Sequence, residues 1–175
     1  IHDTFVAGGF QNNPDSTGIL VRQGPRDVLS LLAYGVDFDR KPDGTFHRTL
    51  EGGHTHHRIL HHKDCTGREI TRCLIEEVKK RRNVTILEHA LVCETKKVAN
   101  GFWVNVLREH TYEAYSSYYL VMATGGIGRV YPFTTNSKIA TGDGIVFAYE
   151  MGANIKNLHL VQFHPTAFND HHTRE

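Results

Sequence analysis

The spacing of apolar positions predicts two kinds of element. Val28, Leu31 and Leu32 share a helical face between Arg26 and Gly35, with Gly35 placed for a left-handed cap. A stronger helix is predicted from Thr66 to about Arg82, because Ile70, Cys73, Leu74 and Val78 recur at i, i+3, i+4 and i+8. Thr66 and Glu69 are spaced as a capping box, and Asn83 is the stop. Val84-Thr-Ile-Leu87 then reads as a strand. From Leu91 to Tyr119 the period falls to two. Strands are predicted near 90–96, over Phe102–Leu107 and over Tyr112–Tyr119, with turns at Ala99-Asn-Gly101 and Glu109-His-Thr111. Leu120-Val-Met-Ala123 is wholly apolar, as a strand covered on both faces should be. A helix over Asp143–Met151 and an extended run over His159–Phe163 complete the pattern.

The remainder carries less periodicity. Residues 1–24, rich in Gly, Asn and Asp, read as loop, and 36–66 as mostly irregular around the turn Pro42-Asp-Gly44. Helix into strand implies an α/β fold with a parallel layer. The meander between two parallel strands points to a nucleotide-binding sheet in which one crossover is antiparallel rather than helical.

Composition sets bounds on that picture. At 175 residues and 39% hydrophobic, the chain has room for one domain or one domain and part of another. Its net charge of +1 comes from interspersed acids and bases, which speaks against nucleic acid or a membrane as partner. No apolar stretch nears the roughly 20 residues that span a bilayer. Three cysteines at unrelated spacings suit a reducing cytoplasm better than a disulfide framework or CxxC metal site. The chain opens at Ile1 and ends in a polar run, so it is expected to be part of a longer protein.

Three blocks carry candidate chemistry. In Val121-Met-Ala-Thr-Gly-Gly126 a buried strand would run into paired glycines, where Ala123, Thr124, Gly125 and Gly126 could bring free backbone N–H groups to a phosphate or ribose. Thr141-Gly-Asp-Gly144 opens the following helix, and Asp143 is either its N-cap or an acceptor for a cofactor hydroxyl. No G-x-G-x-x-G fingerprint is present. Glu51-Gly-Gly-His-Thr-His-His-Arg-Ile-Leu60 sets a carboxylate and several imidazoles in a glycine turn; Glu51 is either solvated or faces a cationic substrate group. His54-x-His56 is a ligand spacing in metal hydrolases, which leaves a histidine-rich metal hydrolase as an alternative of another class, but Arg58-Ile59 stands where the companion Asp-His would be, and no metal is assigned. In Gln162-Phe-His-Pro-Thr166, Pro165 biases His164 to an extended conformation, so His164 is a donor to a substrate carboxylate or a structural imidazole.

Taken together, these blocks resemble the succinate dehydrogenase/fumarate reductase flavoprotein family and, within it, the L-aspartate oxidase branch. The likeness rests on Glu51–His61 followed by Asp64-Cys-Thr-Gly67, on Ala123-Thr-Gly-Gly126, Thr134-Thr-Asn136 and Thr141-Gly-Asp-Gly144, and on Gln162–Thr166, all in family order. It implies a partial FAD-binding Rossmann-like domain with an inserted β-meander over residues 1–158, and the start of a substrate-capping domain over 159–175. It also implies FAD as cofactor and oxidation of L-aspartate to iminoaspartate, with oxygen or fumarate as electron acceptor, in NAD biosynthesis beside quinolinate synthase. Glu51 and His164 would be the catalytic pair, with Gln162 and Thr166 also binding L-aspartate or dicarboxylate analogues. Leu91, Val92, Ala123–Gly126 and Asp143 would contact FAD. The family's catalytic arginine and dinucleotide fingerprint find no match here, and Arg58 is not assigned that role.

Overall fold

The computed structural model describes residues 1–163, divided into two compact units, 1–86 and the part that begins at Leu87. In the first, residues expected to be loop form α1 (His2–Ala7) and most of α2 (Pro14–Ala33). The missed signal is local. Asn13 caps α2 by accepting from the Ser16 amide at 2.9 Å, Pro14 starts it and Asp15 complements its dipole. Asn and Pro, read as loop formers, here begin a helix, and α2 continues through Pro25.

Helix α2 closes as the glycine predicts. Gly35 takes φ 84, the Val36 amide donates to the Leu31 carbonyl at 3.2 Å and the Gly35 amide to Leu32 at 3.0 Å. This is a Schellman closure, and it turns the chain so that Val36 and Phe38 enter the core. They pack with Cys73, surrounded by Val28, Leu31, Leu32, Phe46, Leu60 and Ile70. Phe38 meets Phe46 edge-on at 6.4 Å. The two-residue strands β1 (Arg48–Thr49) and β2 (Ile59–Leu60) pair antiparallel in the region read as irregular.

Helix α3 (Thr66–Lys79) follows, three residues shorter than expected, and its capping box does not form. Cys65 stands at the N-cap without a side-chain bond; Thr66 Oγ1 instead accepts from the His62 amide at 3.0 Å. Glu69 is buried and turned to Arg72, which holds it through two bonds of 2.9 and 2.8 Å. A guanidinium is a stronger partner for a carboxylate than a backbone amide, so the ion pair displaces the cap. At the other end Lys80 and Arg81 both reach Glu77.

The strand expected at 84–87 is absent: Val84 and Ile86 are exposed and the run has no ladder partner among the described residues. The same holds for 120–123, where Val121 is 88% exposed rather than buried. Apolar β-branched composition permits an extended chain, but a strand exists only through hydrogen bonds to a neighbour. Residues 159–163 also form no strand. Asn157 takes φ 59 and receives the Leu160 amide at 2.9 Å, which turns the chain there.

The meander forms as predicted: β3 (Leu91–Val98), β4 (Gly101–Arg108) and β5 (Thr111–Ser117) make one antiparallel sheet in the order β3-β4-β5. A bulge between Val92 and Glu94 shifts the register of β3. Gly101 at φ 135 is required, since a Cβ there would lie 2.1 Å from the Ser117 carbonyl oxygen. The second turn places Glu109 (φ 49) and His110 (φ 69) both in the left-handed region, the twist a two-residue hairpin needs. Helix α4 (Asp143–Glu150) ends one residue before the predicted Met151 and packs against β3.

Candidate functional site

The glycine block lies after the meander. Gly125 has φ 73, and a Cβ built on Gly125 or Gly126 would meet nothing within 4 Å. Among the described residues, no amide of 123–126 donates to a backbone carbonyl. This is an exposed stretch of main chain beside open space, which is what a phosphate or ribose group needs to approach backbone donors. Thr124 anchors it, because a Cβ on Gly144 would fall 1.9 Å from Thr124 Oγ1. The hydroxyl therefore rests directly on the first turn of α4.

Asp143 is the first residue of α4, not its cap. The cap position is Gly142 at φ 87, pressed so closely on Ile127 that a Cβ would meet its Cγ2 at 2.7 Å. Asp143 accepts from the Thr141 hydroxyl at 2.7 Å and remains exposed. The loop between is closed by the Arg129 amide on the Ala140 carbonyl at 3.0 Å and by Thr134 Oγ1 accepting twice from Asn136. Leu91 and Val92 start β3, the strand against which α4 packs, and both are exposed. The structure thus gathers 123–126 and Asp143 at one helix mouth, with the Leu91–Val92 strand packed on that same helix. These residues present open space, amides without a backbone acceptor and an exposed carboxylate, the kinds of group a dinucleotide's phosphate and ribose would meet.

Gln162 is exposed beside Phe163, whose ring meets Tyr131 edge-on at 5.2 Å and ties this segment to the 127–142 loop. His164 and Thr166 lie outside the described residues.

Glu51 belongs to the first unit and opens a tight turn: the His54 amide donates to its carbonyl at 3.1 Å and Gly53 takes φ 79. Its carboxylate is exposed and makes no ion pair among the described residues. The turn is held by a residue that sequence reading missed. Asp3 on α1 accepts from the Thr55 hydroxyl at 2.7 Å, from its amide at 3.3 Å and from Arg58 at 2.9 Å. These bonds, the Thr55 hydroxyl first, hold the Asp3 carboxyl below its ordinary range. A separation of 52–55 residues leaves no local signal for such a clamp. Arg58 is thereby engaged.

The histidines divide: His61 and His62 approach Asp39 at 3.2 and 3.9 Å, while others stay apart. His62 Nδ1 meets the Asp37 carbonyl at 2.6 Å, His61 pairs with His47, and His56 and His57 are exposed. Among the described residues, no three His, Cys, Asp or Glu side chains gather as a metal site.

An antiparallel meander beside a glycine-marked helix mouth is an arrangement a dinucleotide-binding protein can use. The chain belongs to the FAD-binding-domain family, whose model matches residues 1–175, and FAD is the cofactor this membership indicates. It is 38% identical over 177 residues to the chloroplastic L-aspartate oxidase of Oryza sativa, covering 97% of this chain and 27% of that protein. It is 35% identical over 176 residues to the L-aspartate oxidase of Clostridium acetobutylicum, covering 100% of this chain and 41% of that one. Among solved structures it superposes on a mutant of the E. coli quinol fumarate reductase FrdA with a TM-score of 0.80 at 27% identity, over 85% of this chain and 26% of that one. Mycobacterium smegmatis Sdh1 in complex with UQ1 gives 0.77 at 28% identity, over 86% of this chain and 28% of that chain. The chain therefore spans about a quarter to two-fifths of the length of these relatives.

Proposed function

We propose that this chain is part of an FAD-dependent enzyme that oxidises L-aspartate to iminoaspartate. The observation that carries the reading is the likeness to L-aspartate oxidases along 97% of the chain. The bound flavin supplies the electron-accepting chemistry, while the protein contributes position and charge. In this reading Leu91, Val92, Ala123–Gly126 and Asp143 hold FAD. Glu51 orients the substrate amino group, and Gln162, His164 and Thr166 receive a carboxylate. A charge-assisted hydrogen bond to a carboxylate contributes about 1.5–3 kcal/mol. Oxygen or fumarate would accept the electrons, and the product would pass to quinolinate synthase for NAD synthesis. Residues 1–158 would belong to the FAD-binding domain and 159–175 to a capping domain.

Three free cysteines, one of them exposed, suit a reducing cytoplasm as the setting. No helix among the described residues is long and apolar enough to cross a membrane.

The test is turnover of the complete enzyme with aspartate and with succinate. Glu51→Gln should weaken aspartate use far more than succinate or fumarate binding, and equal loss for both would remove Glu51 from the amino-orienting role. A second reading, a succinate dehydrogenase or fumarate reductase flavoprotein, draws on the superposition at TM-score 0.80 and predicts succinate as the faster substrate. The 175-residue chain alone is proposed to be inactive, because Val84, Ile86, Tyr118, Tyr119 and Val121 are exposed apolar side chains left without packing partners among the described residues. A purified sample with flavin absorbance and aspartate turnover would overturn that.

A further inference from the structure

Residues 50–58 connect β1 to β2, and Glu51 stands near the start of that loop. The base is fixed by the ladder and by the Arg58 amide, which donates to the Thr49 carbonyl at 3.2 Å. Beyond the base, one main-chain bond orders the loop among the described residues, from the His54 amide to the Glu51 carbonyl at 3.1 Å. Gly52 and Gly53 lie between these two residues, and a Cβ built on either meets nothing within 4 Å. A glycine pair in open space has many conformations and little packing to select among them.

Asp3 supplies the missing constraint from outside the loop. Its Oδ2 accepts from the Thr55 hydroxyl at 2.7 Å, the Thr55 amide at 3.3 Å and Arg58 Nη2 at 2.9 Å. Arg58 Nη2 also donates to Thr55 Oγ1 at 3.3 Å, which closes the group. The Asp3 side chain is only 15% exposed, so these charge-assisted bonds are better sheltered from water than a surface pair. Helix α1 carries Asp3 on regular backbone. It closes with the Gly8 amide on the Thr4 carbonyl at 3.1 Å and the Phe10 amide on Phe5 at 2.8 Å.

Thr55 directly follows His54, so holding Thr55 also holds the amide that bonds to Glu51. The Glu51 carboxylate itself stays exposed and makes no ion pair among the described residues, while the guanidinium of its loop is occupied by Asp3. We propose that Asp3 is a positioning residue for an amino-bearing substrate: by tethering Thr55 and Arg58 it holds the loop so that the Glu51 carboxylate meets the substrate ammonium group. Asp3 acts only through Glu51, so this role rests on Glu51 orienting the amino group.

The complete flavin-loaded enzyme provides the test, through kcat and KM for aspartate, flavin content, and the inhibition constant of succinate, which has no amino group. Asp3→Ala should raise the aspartate KM about tenfold, with kcat changed by less than about twofold and succinate inhibition unchanged. Asp3→Asn keeps an acceptor for Thr55 without the charge, and its KM should fall between the two. Thr55→Val breaks the shortest bond from the other side and should reproduce the same split. In a Glu51→Gln background, Asp3→Ala should alter the aspartate KM by less than about twofold, because the group it positions is gone. An unchanged KM in Asp3→Ala, equal weakening of aspartate and succinate in Asp3→Asn, or a tenfold effect that persists in the Glu51→Gln background would overturn the role of Asp3 and leave that of Glu51 standing. Equal loss of both ligands in Glu51→Gln alone would remove the amino-orienting role, and that of Asp3 with it.

Discussion

The two units are held together by different means. In the first, residues far apart in sequence meet through side chains: Asp3 with Thr55 and Arg58, His47 with His61, and Cys73 with Val36 and Phe38. In the second, order comes from a ladder of adjacent hairpins, and the segments bearing ligand-type backbone lie beside it, mostly exposed. The difference teaches that one candidate block rests on side-chain chemistry and the other on main-chain geometry. Substitutions should therefore damage them differently.

The largest effect is expected at Phe38, one of the four buried apolar side chains among the described residues. Phe38→Ala should cost about 3–5 kcal/mol, and amide exchange should locate the loss in α2 and α3. Loss of protection in β3–β5 instead would break the comparison.

Gly101→Ala attacks the second unit through its backbone. The added Cβ cannot coexist with the Ser117 carbonyl at 2.1 Å, and φ 135 is strained for alanine. A loss of about 1–3 kcal/mol is expected in denaturant melts. The next effect has the opposite sign. Glu109→Asn with His110→Gly places turn residues suited to φ 49 and 69 and should stabilise the hairpin by about 1 kcal/mol.

The smallest effect is read against pH. Arg72 and the Cys73 thiol hold the Glu69 carboxyl at about 2 instead of 4.5. A depressed carboxylate contributes its stability above the unfolded value and loses it as pH falls through the folded one. The first unit should therefore weaken between about pH 4.5 and about pH 2, and Glu69→Gln should flatten that part of the acid-unfolding curve. Asp3, lowered by Thr55 and Arg58, acts in the same direction.

How far each block was legible follows from the range of the interactions that make it. The Schellman closure at Gly35, helix α3, both hairpin turns and helix α4 depend on residues within a few positions of each other, and sequence spacing predicted them. The start of α2 was equally local but misread, because Asn13-Pro14-Asp15 suits a loop and a helix start alike. Glu51, Gln162, Ala123–Gly126 and Asp143 were singled out from composition and family likeness, and only folding placed 123–126 against the first turn of α4.

Sequence alone determined where the chain turns, which faces are apolar and which family it resembles, since each is set by local backbone preference or recurring spacing. Tertiary structure decided the rest. It denied strands to 84–87 and 120–123, which have no partner to complete their hydrogen bonds among the described residues. It also spent Glu69 on Arg72 rather than on a cap, and Arg58 on Asp3. The physical reason is reach: a strand needs a neighbour to complete its hydrogen bonds and a carboxylate or guanidinium takes the strongest partner nearby, and what lies nearby is a property of the folded chain.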